Sequence, residues 1–230
     1  MIAKKKTFFS GAIMILVFAV VLAIIFSPVF GDKNGLEYLD DLYNSISKGS
    51  AYYIPKVKQE TDRFIGKSVS MTLDLGEIGH AEQTALLFRK AGASIELSEN
   101  KLKVTGDFGK ILNNCLNDAD SMYKNDGKTI ADKYGYDERQ AMYNWWKACK
   151  GMDKDLKRQK MFEEAKVVTT LNKKAVETSY NYYKIKPQKI TDRLGIVIFS
   201  LIFYVMYTLW YGFAIMYMFE GFGLQLEADH

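Results

Sequence analysis

Two long apolar stretches frame the chain, residues 8–30 and 194–218, and between them the hydrophobic positions fall into short periodic runs separated by turn residues. Roughly 20 apolar residues rising about 1.5 Å each span the hydrocarbon core of a bilayer, and each stretch reaches that length. The pattern predicts two transmembrane helices flanking one domain at residues 31–193, with short tails at 1–7 and 219–230. The first stretch is longer than a usual signal-peptide core, so a retained anchor is expected.

Between the stretches the periodicity changes several times. Asp32-Lys33-Asn34-Gly35 marks a turn, and Leu36, Leu39, Leu42, Tyr43 and Ile46 then recur at helical spacing until Lys48-Gly49-Ser50 stops them. Residues 51–65 form a weaker helical segment with Pro55 near its start. In residues 67–75, Val69, Met71, Leu73 and Leu75 alternate with Ser68, Ser70, Thr72 and Asp74, the signature of a half-buried strand. A helix over 81–90 ending at Gly92 follows, then two short strands at 94–97 and 101–104 joined through Ser98, Glu99 and Asn100. Phe108, Ile111, Leu112, Cys115, Leu116, Ala119, Met122 and Tyr123 lie on one stripe and predict an amphipathic helix over 108–123.

From Asp137, a plausible N-cap, helical spacing runs through Met142, Trp145, Trp146 and Cys149 and is interrupted at Gly151. It resumes from Phe162 to Tyr182, predicting a long helix that leads into the second span, with Pro187 at the bend. The expected fold is an α+β domain, a small three-stranded sheet with amphipathic helices, between two membrane helices. Strand, helix, hairpin and helix in this order resemble part of a ferredoxin-like split unit, and the resemblance implies fold alone.

Charge refines the topology. Of 31 Lys and Arg, 28 fall in the middle segment against 24 acidic residues, too even a balance for the clustered basic footprint of a nucleic-acid binder. Lys4, Lys5 and Lys6 favour a cytoplasmic N-terminus, which places both termini in the cytoplasm and the domain outside it, at a cell inner (plasma) membrane. Lys184, Lys186, Lys189 and Arg193 on the domain side of the second span pull the other way.

Candidate chemistry is sparse. His80 and the terminal His230 are the only histidines, Cys115 and Cys149 stand far apart, and neither metal nor haem is expected. Cys115 falls on a helix stripe and is expected to pack as a small hydrophobe, with a bridge to Cys149 as the less favoured alternative. Asp118, Asp120, Asn125 and Asp126 carry calcium-type oxygens without EF-hand spacing, and Gly76, Gly79, Gly106 and Gly109 fit no phosphate-binding pattern.

The aromatic residues are more informative. Adjacent Trp145 and Trp146 cannot share one helix stripe, so with one in the domain core the other is left to face a partner or the headgroup layer, core burial of these aromatics being the competing explanation. In the second span Tyr207, Trp210 and Tyr211 lie at mid-depth, where lipid tails offer their protons no acceptor. With Gly212 they form a candidate contact for other membrane helices; packing against the first span is the competing explanation.

These features point to a non-enzymatic accessory or assembly subunit of a membrane complex, binding the lipid bilayer and other membrane subunits or further copies of itself. The layout is also similar to that of polysaccharide co-polymerases, which implies a self-assembling periplasmic scaffold. The Pro/Gly-rich second span usual in those proteins is missing. A membrane-bound sensor is a third possibility.

Overall fold

A computed structural model describes residues 2–74, 76, 78–98 and 101–224, with the backbone alone at 78–80. Leu75, the His80 side chain, Glu99, Asn100 and the tail beyond Leu224 lie outside the described residues. The elements in chain order are α1 (Lys5–Phe26), α2 (Gly35–Ser50), α3 (Ile54–Asp62), β1 (Ser68–Asp74), α4 (Ile78–Lys90), β2 (Ser94–Ser98) and β3 (Lys101–Asp107). They continue with α5 (Phe108–Tyr123), α6 (Gly127–Tyr134), α7 (Glu138–Arg158), α8 (Phe162–Leu171), a π-helical segment (Asn172–Glu177), α9 (Thr178–Asn181) and α10 (Leu194–Gly221). The chain divides into two units, Met1–Gly49 with Pro187–His230, and Ser50–Lys186.

In the first unit α1 and α10 pair as antiparallel helices, both long and apolar enough to cross a membrane. The helical part of the first apolar stretch is Lys5–Phe26, not 8–30. Pro28 disfavours helical backbone at Ser27, whose hydroxyl turns back to the Ala23 carbonyl at 2.7 Å, and Phe30 instead bridges to Lys33. Glycine allows the two helices to approach. A Cβ on Gly11 would lie 2.8 Å from the Ala214 carbonyl oxygen, and one on Gly221 2.5 Å from Phe8 Cβ. The Gly221 carbonyl accepts from the Ala3 and Lys4 amides, both at 2.9 Å, and Lys4 pairs with Glu220 at 2.8 Å.

Helix α2 begins with a reciprocal capping pair: the Glu37 amide donates to Asn34 Oδ1 at 2.9 Å, and the Asn34 amide donates to the Glu37 carboxylate at 3.0 Å. It ends at Ser50, within the Lys48-Gly49-Ser50 stop, and Gly49 lies in its last turn. That glycine is a point of close approach, since a Cβ there would sit 2.6 Å from the Gln188 carbonyl oxygen.

The second unit holds an antiparallel sheet in the order β1-β3-β2. Its inner face carries Val69, Met71, Leu73, Leu102 and Val104, against which α4, α5 and α7 pack. Strands β1 and β2 run parallel with β3 between them, a split β-α-β arrangement. Among the described residues no fourth strand covers the outer edge of β1. Side chains of α7 do so: the Thr72 amide donates to Asp155 Oδ2 at 3.0 Å, and Gln159 Nε2 donates to the Ser70 carbonyl at 2.8 Å.

Three expectations need correction here. Helix α7 continues through Gly151, because a glycine at that position lets Leu73 of β1 approach to van der Waals distance. The chain then reverses at Gln159–Met161, where Lys160 adopts φ 62°, and α8 returns antiparallel to α7, with Thr169 donating to Asp153 at 2.9 Å. No long helix runs into the second span: the helical stretch ends at Asn181, and Lys184 at φ 68° begins an irregular segment that contains Pro187.

Candidate interaction surfaces

The geometry of α7 separates the two adjacent tryptophans. Ala141, Met142, Trp145, Ala148, Cys149, Met152 and Leu156 form its buried stripe, and Trp145 is 0% exposed. Its indole packs edge-on to Phe88 at 5.4 Å and donates to Asp118 Oδ2 at 2.8 Å. A residue enclosed in this way has no surface to offer a partner, so the aromatic interface expected here reduces to Trp146. About 100° around the helix, Trp146 is half-buried, stacks on Tyr143 at 5.6 Å and donates to Glu177 at 2.8 Å. Lys150 Nζ lies 3.3 Å from its ring centroid. With Val176 and Tyr180 these rings line a groove of about 360 Å³. One wall is the π-helical segment, a departure from α-helical spacing that recurs at functional sites. Its first residue, Asn172, carries the one buried side-chain oxygen without a hydrogen-bond partner among the described residues.

The acidic cluster read from sequence is dispersed by the fold. Asp118, 3% exposed, accepts from Lys133, the Tyr134 hydroxyl and Trp145. Burial first, and then the Asp118 charge, push the Tyr134 phenol far above its ordinary value. Asp120 pairs with Lys124 and accepts from Tyr52, Asn125 holds the 184–185 backbone, and Asp126 caps α6, a helix that the sequence pattern did not reveal. Cys115 and Cys149 are free, buried and in contact, and desolvation pushes the Cys115 thiol well up. Among the described residues no three acidic, histidine or cysteine side chains are grouped to hold a metal ion.

On α10 the mid-depth aromatics divide. Tyr207 stacks on Phe18 of α1 at 4.1 Å and donates to the Phe18 carbonyl at 3.2 Å. The competing explanation, packing against the first span, therefore accounts for Tyr207. It accounts in part for Tyr211, whose ring also meets Phe18 at 5.1 Å, but not for Trp210. Half-buried Trp210 meets the Tyr207 ring edge-on at 6.5 Å, and among the described residues neither its indole nor the Tyr211 hydroxyl has a hydrogen-bond acceptor. Tyr211 is 46% exposed, and a side chain at Gly212 would meet nothing within 4 Å.

Comparison with known protein families, curated proteins and solved structures finds no match for this chain.

Proposed function

We propose that this chain is a non-catalytic membrane subunit, anchored by α1 and α10, that assembles with other membrane helices through the α10 surface around Trp210, Tyr211 and Gly212, three successive residues that spread over about 200° of the helix. One observation carries the reading: two polar aromatic groups at the middle of a 28-residue apolar helix have no acceptor among the described residues. In hydrocarbon such a group costs free energy until a neighbouring helix supplies a partner. The open Gly212 surface allows a second backbone to come close. In this reading the Lys4–Lys6 end of the hairpin is cytoplasmic and the domain extracytoplasmic. The Tyr143–Trp146–Tyr180 groove adds a second contact of the aromatic kind that anchors protein interfaces.

The test is a photo-reactive amino acid at Gly212 in native membranes. The expected product is a discrete covalent adduct with another polypeptide, identified by mass spectrometry and weakened by Trp210→Phe and Tyr211→Phe. An adduct between two copies of this chain favours the self-assembling scaffold. Labelling of lipid alone, with the solubilised protein running as a monomer, removes the proposal.

A further inference from the structure

The first unit contains a groove that the assembly reading does not use. It lies where α2 meets the ends of α1 and α10, encloses about 500 Å³, and is walled by Leu22, Phe26, Phe30, Leu39, Phe199 and Phe203, among other apolar side chains. Along α10 it runs from Ile196 to Tyr207, about 17 Å at the helical rise. That is close to half of the roughly 30 Å hydrocarbon core, the depth of one leaflet. Tyr38, whose ring stacks on Phe30 at 4.7 Å, lines this groove and also a smaller polar cavity of about 200 Å³. The polar cavity is bounded by Lys33, Asp41, Gln188 and Arg193. Lys33 pairs with Asp41. Arg193 donates through Nε to Gln188 at 3.0 Å and has no carboxylate partner among the described residues.

We propose that this composite site retains one phospholipid of the phosphatidylethanolamine class, with an acyl chain in the groove and its headgroup in the polar cavity. The inference rests on the membrane-insertion part of the function proposed above. A groove one leaflet long with an apolar lining suits a single hydrocarbon chain. At its mouth a guanidinium and an ammonium can bind one phosphodiester, and a carboxylate can bind one ammonium. Two cations with one carboxylate match a zwitterionic aminophospholipid. They match less well a glycerol headgroup, which brings no ammonium to Asp41 when Lys33 turns to the phosphate, and a choline headgroup, which offers the carboxylate no N–H donor.

The full chain is tested after carbonate washing of membranes, purification and exhaustive delipidation, and then in nanodiscs of defined composition. Wild-type protein is expected to remain in the washed membranes and to hold one phosphatidylethanolamine by native mass spectrometry, preferred about tenfold over phosphatidylglycerol and phosphatidylcholine. Leu39→Trp, which fills the groove, abolishes retention; Leu16→Trp, on a lipid-facing part of α1 outside the groove, leaves it intact. Arg193→Gln keeps the groove and removes the headgroup preference. Release by carbonate overturns the membrane reading together with this one. An integral protein whose Leu39→Trp form retains lipid as the wild type does, or which shows no headgroup preference, carries annular lipid only, and the lipid site alone is overturned.

Discussion

In the α+β domain a carboxylate lies almost wholly inside, with Lys133, Tyr134 and Trp145 all donating to Asp118. In the α1–α10 pair, close contact comes from Gly11 and Gly221, and halfway along the helices Tyr207 of α10 donates to a main-chain carbonyl of α1. With α1 and α10 placed in lipid, as proposed above, the difference follows from the surroundings. A water-soluble interior gains from burying apolar area and can hold an ionised group where several donors converge. Between two apolar helices in lipid, no such gain distinguishes neighbour from solvent, and backbone approach takes over as the source of affinity.

The strongest way to break this comparison is to remove the carboxylate. Asp118→Ala leaves an indole, a phenol and an ammonium without their acceptor and is expected to destabilise the domain by about 4 kcal/mol in chemical denaturation. A loss below about 1 kcal/mol would make the network incidental. Next in size is Gly11→Leu, which drives a side chain into the Ala214–Met218 backbone. It should weaken α1–α10 packing by about 2 kcal/mol, seen as a longer distance between fluorescent labels at the two helix midpoints; an unchanged distance would refute the close-approach account.

A smaller effect tests the domain at its edge. Asp107 caps α5, accepting from the Lys110 amide at 3.0 Å, and Asp107→Ala should cost about 1 kcal/mol. The hydrogen bond from the Lys110 amide, assisted by that from Gly66, holds the Asp107 carboxyl below its ordinary value of 3.8. Because the folded value is the lower one, this contribution is complete above the unfolded value and is lost as pH falls through the folded value. The stability gap between wild type and Asp107→Ala should therefore close between about pH 5 and pH 2. A gap that stays constant over this range would mean that the cap acts without its charge. The smallest change is expected from Tyr207→Phe, about 0.6 kcal/mol in hairpin packing, because the ring stack on Phe18 survives. A much larger loss would show that the hairpin also depends on a polar bond.

Elements whose burial is one-sided were legible from the sequence. The stripe from Phe108 to Tyr123 and the alternation through β1 record a single buried face, and both elements lie where the pattern placed them. Gly151 reads as a stop, yet it lies inside a helix at a point where β1 comes close, information that resides in the partner and not in the local sequence. The reversal at Lys160 was hidden for the converse reason, since a lysine at positive φ carries no turn signature. Of the candidate surface residues, the divergence of Trp145 and Trp146 followed from helical geometry. Which of the two faces inward depends on Asp118, 27 positions away. The groove at Trp146 likewise requires the return of α8 and the π-helical segment along α7, a pairing that no periodicity records.

The covered edge of β1 also limits what kinds of symmetry the sheet can support. With Asp155 and Gln159 occupying that side, β2 is the one edge of the sheet at which a further strand could be added. A molecule with a single such edge can meet a second copy across a two-fold axis, and the pair then has no free edge left. Rings and filaments need two different complementary surfaces on each molecule. Strand addition at this sheet therefore stops at two copies.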